Sequence, residues 1–211
     1  LLGAAFGSSG ERCMALSVAV AVGDEVADLL VQKLSKSMKN LKFGAYTDST
    51  NDFGPVITKQ HQQSVINHIS SAEKQGANIV VDGRDAIVSG YENGFYVGGT
   101  LIDKVTPQMD SYKAEIFGPV LQIVRVATMK DAMSLIDNHE YGNGTCIFTR
   151  DGEAARYFSD HIKVGMVGVN IPLPVPVAYH SFGGWKRSLF GDLHAYGPDS
   201  IRFYTKRKTI T

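Results

Sequence analysis

Two short stretches of this chain carry residue types that can do chemistry. In the first, GSSGERC, Cys13 follows the charged pair Glu11-Arg12 and precedes the apolar run Met14 to Val22. A cysteine is a nucleophile as its thiolate, and positive charge nearby, such as that of Arg12, favours this form. After attack on a carbonyl, the backbone N–H of Cys13 could help hold the oxyanion. The competing reading is a small buried hydrophobe, and the residues alone leave both open. Cys146, flanked by Thr145 and Ile147, reads as packing.

The second stretch is KAEIFGPVLQ, where Glu115 precedes Ile116-Phe117 and Gly118-Pro119 turns the chain into an apolar run. A carboxylate at such a turn can bind sugar hydroxyls bidentately, and Phe117 can offer a flat face to a ring. A surface glutamate beside a core phenylalanine is the alternative. The histidines offer less. His61 and His68 are too far apart for the i, i+4 pairing of a helical zinc site, and His139, His161, His180 and His194 have no ligand spacing, so no metal site is expected. No G-x-G-x-x-G or P-loop pattern is present to cradle a phosphate.

The elements that must position these residues alternate in type. MALSVAVAVG has the β-branched apolar character of a buried strand. A helical pattern with Val26, Leu29, Leu30, Leu34, Met38 and Leu41 follows, with Asp24 as its expected N-cap. Thr58 is placed to cap a second helix that turns Val65, Ile66, Ile69 and Ala72 inward and ends at Gly76. ANIVVDG, GFYVGGTLI, PVLQIVRVA, GTCIFTR and GMVGVNI read as strands. Thr128 to Asn138, with Met133 and Ile136 facing the core, and Gly152 to Ile162 read as helices. Strands alternating with helices predict an α/β fold, a mostly parallel sheet with helices on both faces. Asn170 to Gly191 breaks the rhythm, because its prolines exclude a helix. A loop of that length in a compact domain suggests function. The closing SIRFYTKRKTIT alternates like a strand with no later partner, so it reads either as a protected edge or as a strand completed by a neighbouring subunit.

Bulk properties narrow the function classes. The 211 residues are 44% hydrophobic and 20% charged, and 21 Lys plus Arg balance 21 Asp plus Glu. Net charge therefore predicts neither nucleic acid nor an acidic membrane as partner. The longest apolar stretch, MALSVAVAV, is too short to span a bilayer. Two cysteines predict no disulfide framework and a reducing compartment, the cytoplasm or, in a eukaryote, the mitochondrial matrix. The opening LLGAAFG looks like the tail of an amphipathic helix, as in a piece of a larger protein.

The order GSSGERC, KAEIFGPV, YGNGTCIFT, GMVGVN and SFGGWKRS resembles the catalytic half of an aldehyde dehydrogenase over nearly the whole chain. Within that family GERCMALS, GYENGFYVGGTLI and VNIPLPVPV resemble the CoA-acylating, methylmalonate-semialdehyde branch. The resemblance implies Cys13 as nucleophile, Glu115 on the nicotinamide ribose of NAD, Phe117 beside the nicotinamide, and Arg12 as binder of the substrate carboxylate. It also implies coenzyme A as co-substrate, a small semialdehyde as substrate and a homo-dimer or homo-tetramer. Residues 1–200 would form the catalytic domain and 201–211 a C-terminal oligomerisation strand. The NAD-binding domain and the asparagine that completes the oxyanion hole would lie outside this chain, leaving it inactive alone. Leu189 stands where hydrolytic members typically have glycine. The alternatives are a hydrolytic aldehyde dehydrogenase and a catalytically silent oligomerisation module.

Overall fold

A computed structural model describes all 211 residues, Leu1 to Thr211. The chain divides into two compact units, Leu1–Ala132 and Met133–Thr211.

The first unit opens with α1 (Leu2–Phe6), a 3-10 turn (Gly7–Gly10) and β1 (Val18–Val22), followed by α2 (Asp24–Met38). Gly23, with φ 89°, is the N-cap of α2, and Asp24 is its first helical residue rather than the expected cap. A left-handed φ suits glycine, while Asp24 and Glu25 in the first turn complement the helix dipole. The buried stripe of α2 is Ala27, Leu34 and Met38. Val26 and Leu29, grouped with the core residues by spacing, are 55% and 49% exposed. At about 100° per residue both fall outside that stripe.

Next come α3 (Lys59–Lys74), β2 (Asn78–Val81), β3 (Thr100–Asp103), a single turn α4 (Asp110–Lys113) and β4 (Val120–Val126). Thr58 caps α3 as expected, its hydroxyl accepting from the His61 N–H, and Val65, Ile69 and Ala72 are buried. The strand order is β1-β4-β3-β2. β1 and β3 run parallel to β4, with Val18 opposite Gln122 and Thr100 opposite Val120. β2 pairs antiparallel with β3, which is possible because the intervening chain contains no crossover helix.

The alternation along β4 places helices on both faces of this sheet. Leu121 and Ile123 belong to the same core as Phe6, Ala27, Leu34, Met38 and Leu101. Full burial of each leucine, isoleucine, methionine or phenylalanine side chain among these contributes about 1.5–3 kcal/mol. Gln122, one residue out of phase, faces the other way, where its Nε2 donates to the Ser111 carbonyl on α4.

α5 (Met129–Asp137) passes from the first unit into the second. Its start is closed reciprocally: Asp131 Oδ2 accepts from the Thr128 N–H, and Thr128 Oγ1 accepts from the Asp131 N–H.

The second unit adds β5 (Tyr141–Gly142), β6 (Gly144–Ile147), α6 (Gly152–His161), β7 (Met166–Val169) and β8 (Trp185–Lys186). β6 and β7 are parallel, whereas β5 and β8 form a short antiparallel pair. Asp151 caps α6 by accepting from the Glu153 and Ala154 N–H groups. Between Asn170 and Gly191 the chain is irregular except for β8.

The end of the chain departs from expectation. Gly197–Asp199 forms a 3-10 turn and Ser200–Tyr204 a short helix, α7, with residues 205–211 irregular and exposed. Alternation alone does not make a strand: no strand of this chain lies alongside to satisfy its donors. Pro198 in the turn instead starts a helical course.

Candidate active site

The cysteine loop is built by backbone conformations that serine seldom adopts. Ser8 and Ser9 have φ of 53° and 58°, and Gly10 continues at 70°. Three successive left-handed residues reverse the chain after α1. The two serines are held there by specific bonds: the buried Ser9 hydroxyl donates to the Gly54 carbonyl at 2.7 Å, and Ser8 Oγ accepts from Arg12 Nε at 3.0 Å. The Ala15 N–H then donates to the Arg12 carbonyl at 2.9 Å, closing a turn with Cys13 and Met14 at its centre. Leu16 N–H to Ala4 O and Gln122 N–H to Ser17 O carry the chain into β1. Cys13 is exposed at the tip of that turn. This removes the buried-hydrophobe reading.

Arg12 is also exposed, and its guanidinium lies over Gly7, where a Cβ would sit 3.3 Å from Nη1. It lines a cavity of about 330 Å³ together with Ser8, Asp48, Asn51, Asp52 and Gly54.

The Glu115 turn is attached to the same loop. Glu115 is exposed and Phe117 is 39% exposed, while Ile116, Gly118 and Pro119 are buried. Phe117 has φ of 54°, so the chain turns its ring outward between buried neighbours. Gly118 packs on α3, leaving no room for a Cβ, which would lie 2.7 Å from Val65 Cγ2. On its other side it meets Gly10, where a Cβ would lie 2.1 Å from the Gly118 carbonyl oxygen.

A second tie went unread in the sequence. His61 Nε2 lies 2.7 Å from the Phe117 carbonyl oxygen and 3.4 Å from Glu11 Oε1. The same Glu11 oxygen accepts from the Ile57 N–H at 3.3 Å. Weighing His61 only as a metal ligand hid this role, although Thr58 as N-cap already placed His61 in the first turn of α3. Cys146, in β6, is half-buried, and burial pushes its thiol above the ordinary range. It is not a second nucleophile in waiting.

An exposed thiol on a strained turn, tied to a turn that presents a carboxylate and an aromatic ring, matches one family throughout. The aldehyde dehydrogenase family model matches residues 1–210, and the chain belongs to that family. Malonate-semialdehyde dehydrogenase of Pseudomonas aeruginosa is 67% identical over 211 residues, covering all of this chain and 42% of the relative. Malonate-semialdehyde dehydrogenase 1 of Geobacillus thermodenitrificans is 48% identical over 212 residues, covering 43% of its length. Among solved structures, methylmalonate-semialdehyde dehydrogenase from Oceanimonas doudoroffii has 78% identity and a TM-score of 0.97, over 99% of this chain and 43% of that one. Betaine aldehyde dehydrogenase of Staphylococcus aureus in complex with NAD+ has 26% identity and a TM-score of 0.89, over 96% of this chain and 40% of that one. The resemblance to aldehyde dehydrogenases, and to methylmalonate-semialdehyde dehydrogenases among them, is borne out. The chain spans less than half the length of these relatives. None of its helices is long and apolar enough to cross a membrane.

Proposed function

We propose that this chain is the thiol-bearing catalytic part of an NAD-dependent, CoA-acylating semialdehyde dehydrogenase. It would convert methylmalonate or malonate semialdehyde to propionyl-CoA or acetyl-CoA plus CO2. The observation that carries this reading is the exposed Cys13 on a loop whose Gly10 touches the turn bearing Glu115 and Phe117.

In this reading the Cys13 thiolate adds to the aldehyde carbon, and the resulting alkoxide is stabilised by backbone N–H donors, that of Cys13 among them. Glu115 and Phe117 would hold NAD by their chemistry: an exposed carboxylate can accept from both hydroxyls of a ribose, and an exposed ring can cover one face of a nicotinamide. NAD, when bound, takes up the hydride whose loss turns the thiohemiacetal into a thioester. Arg12 pairs its guanidinium fork with the substrate carboxylate. The bond to that carboxylate then breaks, CO2 leaves, and its electron pair passes to the β-thioester carbonyl as an enolate. The enolate carbon takes a proton. The thiolate of coenzyme A attacks the thioester carbon and expels the Cys13 thiolate, which restores the nucleophile.

The chain would act in the cytoplasm, where Cys13 stays reduced, and the full-length protein would be a homo-oligomer. The 211 residues alone would produce no NADH.

The test is the full-length protein with methylmalonate semialdehyde, NAD and CoA, its products identified by mass spectrometry with CoA present and omitted. Acyl-CoA formed only when CoA is present, and lost in Cys13→Ala, is the expected result. A free acid formed at the same rate without CoA would point to the hydrolytic reaction. Normal turnover by Cys13→Ala would end the proposal.

A further inference from the structure

Phe117 adopts a backbone conformation that a residue with a Cβ resists, with φ of 54°. That conformation turns its ring outward, while Ile116 before it is 7% exposed and Gly118 after it is buried. Such a backbone persists only where its surroundings hold it. Gly118 is wedged between Val65 and Gly10, which fixes the chain on one side of Phe117. On the carbonyl of Phe117 itself, the side-chain contact is with His61 Nε2 at 2.7 Å.

A carbonyl only accepts, so Nε2 of His61 carries the proton in this bond. His61 is itself held from two directions, through its backbone and through its ring. Its backbone N–H donates to Thr58 Oγ1 at 3.1 Å, which sets the first turn of α3. Its Nε2 lies 3.4 Å from Glu11 Oε1, with both side chains largely shielded, at 22% and 18% exposure. Glu11 in turn stands two residues before Cys13 and accepts from the Ile57 N–H, next to the Thr58 cap. The thiol loop, the start of α3 and the Phe117 turn therefore share one imidazole.

We propose that His61 is a positioning residue for the reaction, holding the Phe117 turn in its left-handed form and in register with the Cys13 loop through Glu11. The inference rests on the reading of Phe117 as a nicotinamide contact. It assigns His61 no contact with substrate. Its action is to keep the ring of Phe117 and the thiol loop in one fixed arrangement, so that cofactor binding does not have to order the turn. A loosened turn would be reordered at each binding event, at the expense of affinity for NAD.

The experiment uses the full-length enzyme with His61→Ala and His61→Gln. Glutamine carries an amide N–H near the position of Nε2 and can still donate to the Phe117 carbonyl. Hydrogen–deuterium exchange of a peptide covering residues 114–120, without ligands, reads the turn directly. Steady-state kinetics read its consequence. The expected result is faster exchange in His61→Ala, with KM for NAD raised roughly tenfold and kcat changed much less. His61→Gln should recover most of both. Unchanged exchange in His61→Ala would overturn the inference whatever the kinetics, and so would a failure of His61→Gln to restore exchange. Faster exchange with an unaltered KM for NAD would show that the Phe117 turn does not meet the cofactor. In that case the reading of Phe117 fails, and this inference with it.

Discussion

Gly10 and Gly118 meet backbone to backbone: a Cβ on Gly10 would lie 2.1 Å from the Gly118 carbonyl oxygen and 2.6 Å from its carbonyl carbon. One glycine belongs to the cysteine loop and the other to the turn that presents Phe117. Their contact brings two motifs a hundred residues apart in sequence to one place.

Gly10→Ala should therefore be costly twice over. The φ of 70° disfavours any Cβ, by about 1–2 kcal/mol. The contact with Gly118 leaves nothing flexible to move aside, and such overpacking costs about 1–3 kcal/mol more. Urea unfolding should show the loss, and the full-length enzyme should lose activity beyond what its lowered stability explains. An unshifted unfolding midpoint would contradict the packing described here.

Much of the frame could be read from residue types. Short β-branched runs marked β1, β4 and β7, and Thr58 marked the start of α3, because these are local preferences. The shape of the site was not local. Serine carries no preference for φ near 55°, and Ser8 and Ser9 adopt it because Arg12 and the Gly54 carbonyl hold them. Phe117 is the same case. The residues around Cys13 left it ambiguous, since exposure of one residue at a loop tip leaves no periodic trace, and only the order of the motifs after it pointed to a nucleophile. The last residues misled in the other direction: SIRFYTKRKTIT alternates, yet alternation without a neighbouring strand yielded the helix Ser200–Tyr204.

The two cysteines should react very differently. Cys13 is exposed, whereas Cys146 is half-buried and its thiol is pushed up by desolvation, only partly offset by a backbone hydrogen bond from Gly168. A raised pKa leaves less thiolate at any given pH, so alkylation of Cys146 should lag and should rise only above the usual thiol range near about 8.5. Iodoacetamide labelling followed by peptide mass spectrometry across pH 6 to ~10 would measure both. Equal rates at neutral pH would contradict the burial of Cys146.

Ser8 should matter through Arg12. Its hydroxyl accepts from Arg12 Nε at 3.0 Å and so presets the guanidinium. In the full-length enzyme Ser8→Ala should raise KM for a carboxylate-bearing semialdehyde by roughly tenfold, the worth of one hydrogen bond to a charged group. KM for propanal, which lacks the carboxylate, should barely move. Arg12→Leu should widen the same gap. A parallel rise for both aldehydes would show that Arg12 does not read the carboxylate.

Lys186 is the stabilising counterpart in the second unit. Its Nζ donates to the carbonyls of Ile136, Asp137 and His139 at 3.0, 3.0 and 3.2 Å, closing the C-terminal end of α5. Cations suit a helix C-terminus, and desolvation lowers the pKa of this one. Lys186→Met keeps the aliphatic stem and removes the donors, and should cost about 1–3 kcal/mol in urea unfolding. Lys186→Ala should cost more, because the stem also packs near Gly142. Equal stability of Lys186→Met and the parent would mean that the three bonds contribute nothing net.

The C-terminal segment offers the sharpest test of assembly. Ile201, Phe203, Tyr204 and Ile210 are 72%, 46%, 71% and 87% exposed, interleaved with Arg202, Lys206, Arg207 and Lys208. In the proposed homo-oligomer, these four apolar side chains, open to water in this chain, would form part of the surface that a partner subunit covers. The alternation of SIRFYTKRKTIT suits an added strand once a sheet edge is offered. Removing residues 201–211 from the full-length protein should convert the proposed homo-oligomer to a smaller species in light scattering coupled to size-exclusion chromatography. Its far-UV circular dichroism should stay close to that of the parent. Because these residues pack on little else in this chain, the loss should fall on assembly more than on folding. An unchanged mass would remove the segment from the subunit interface.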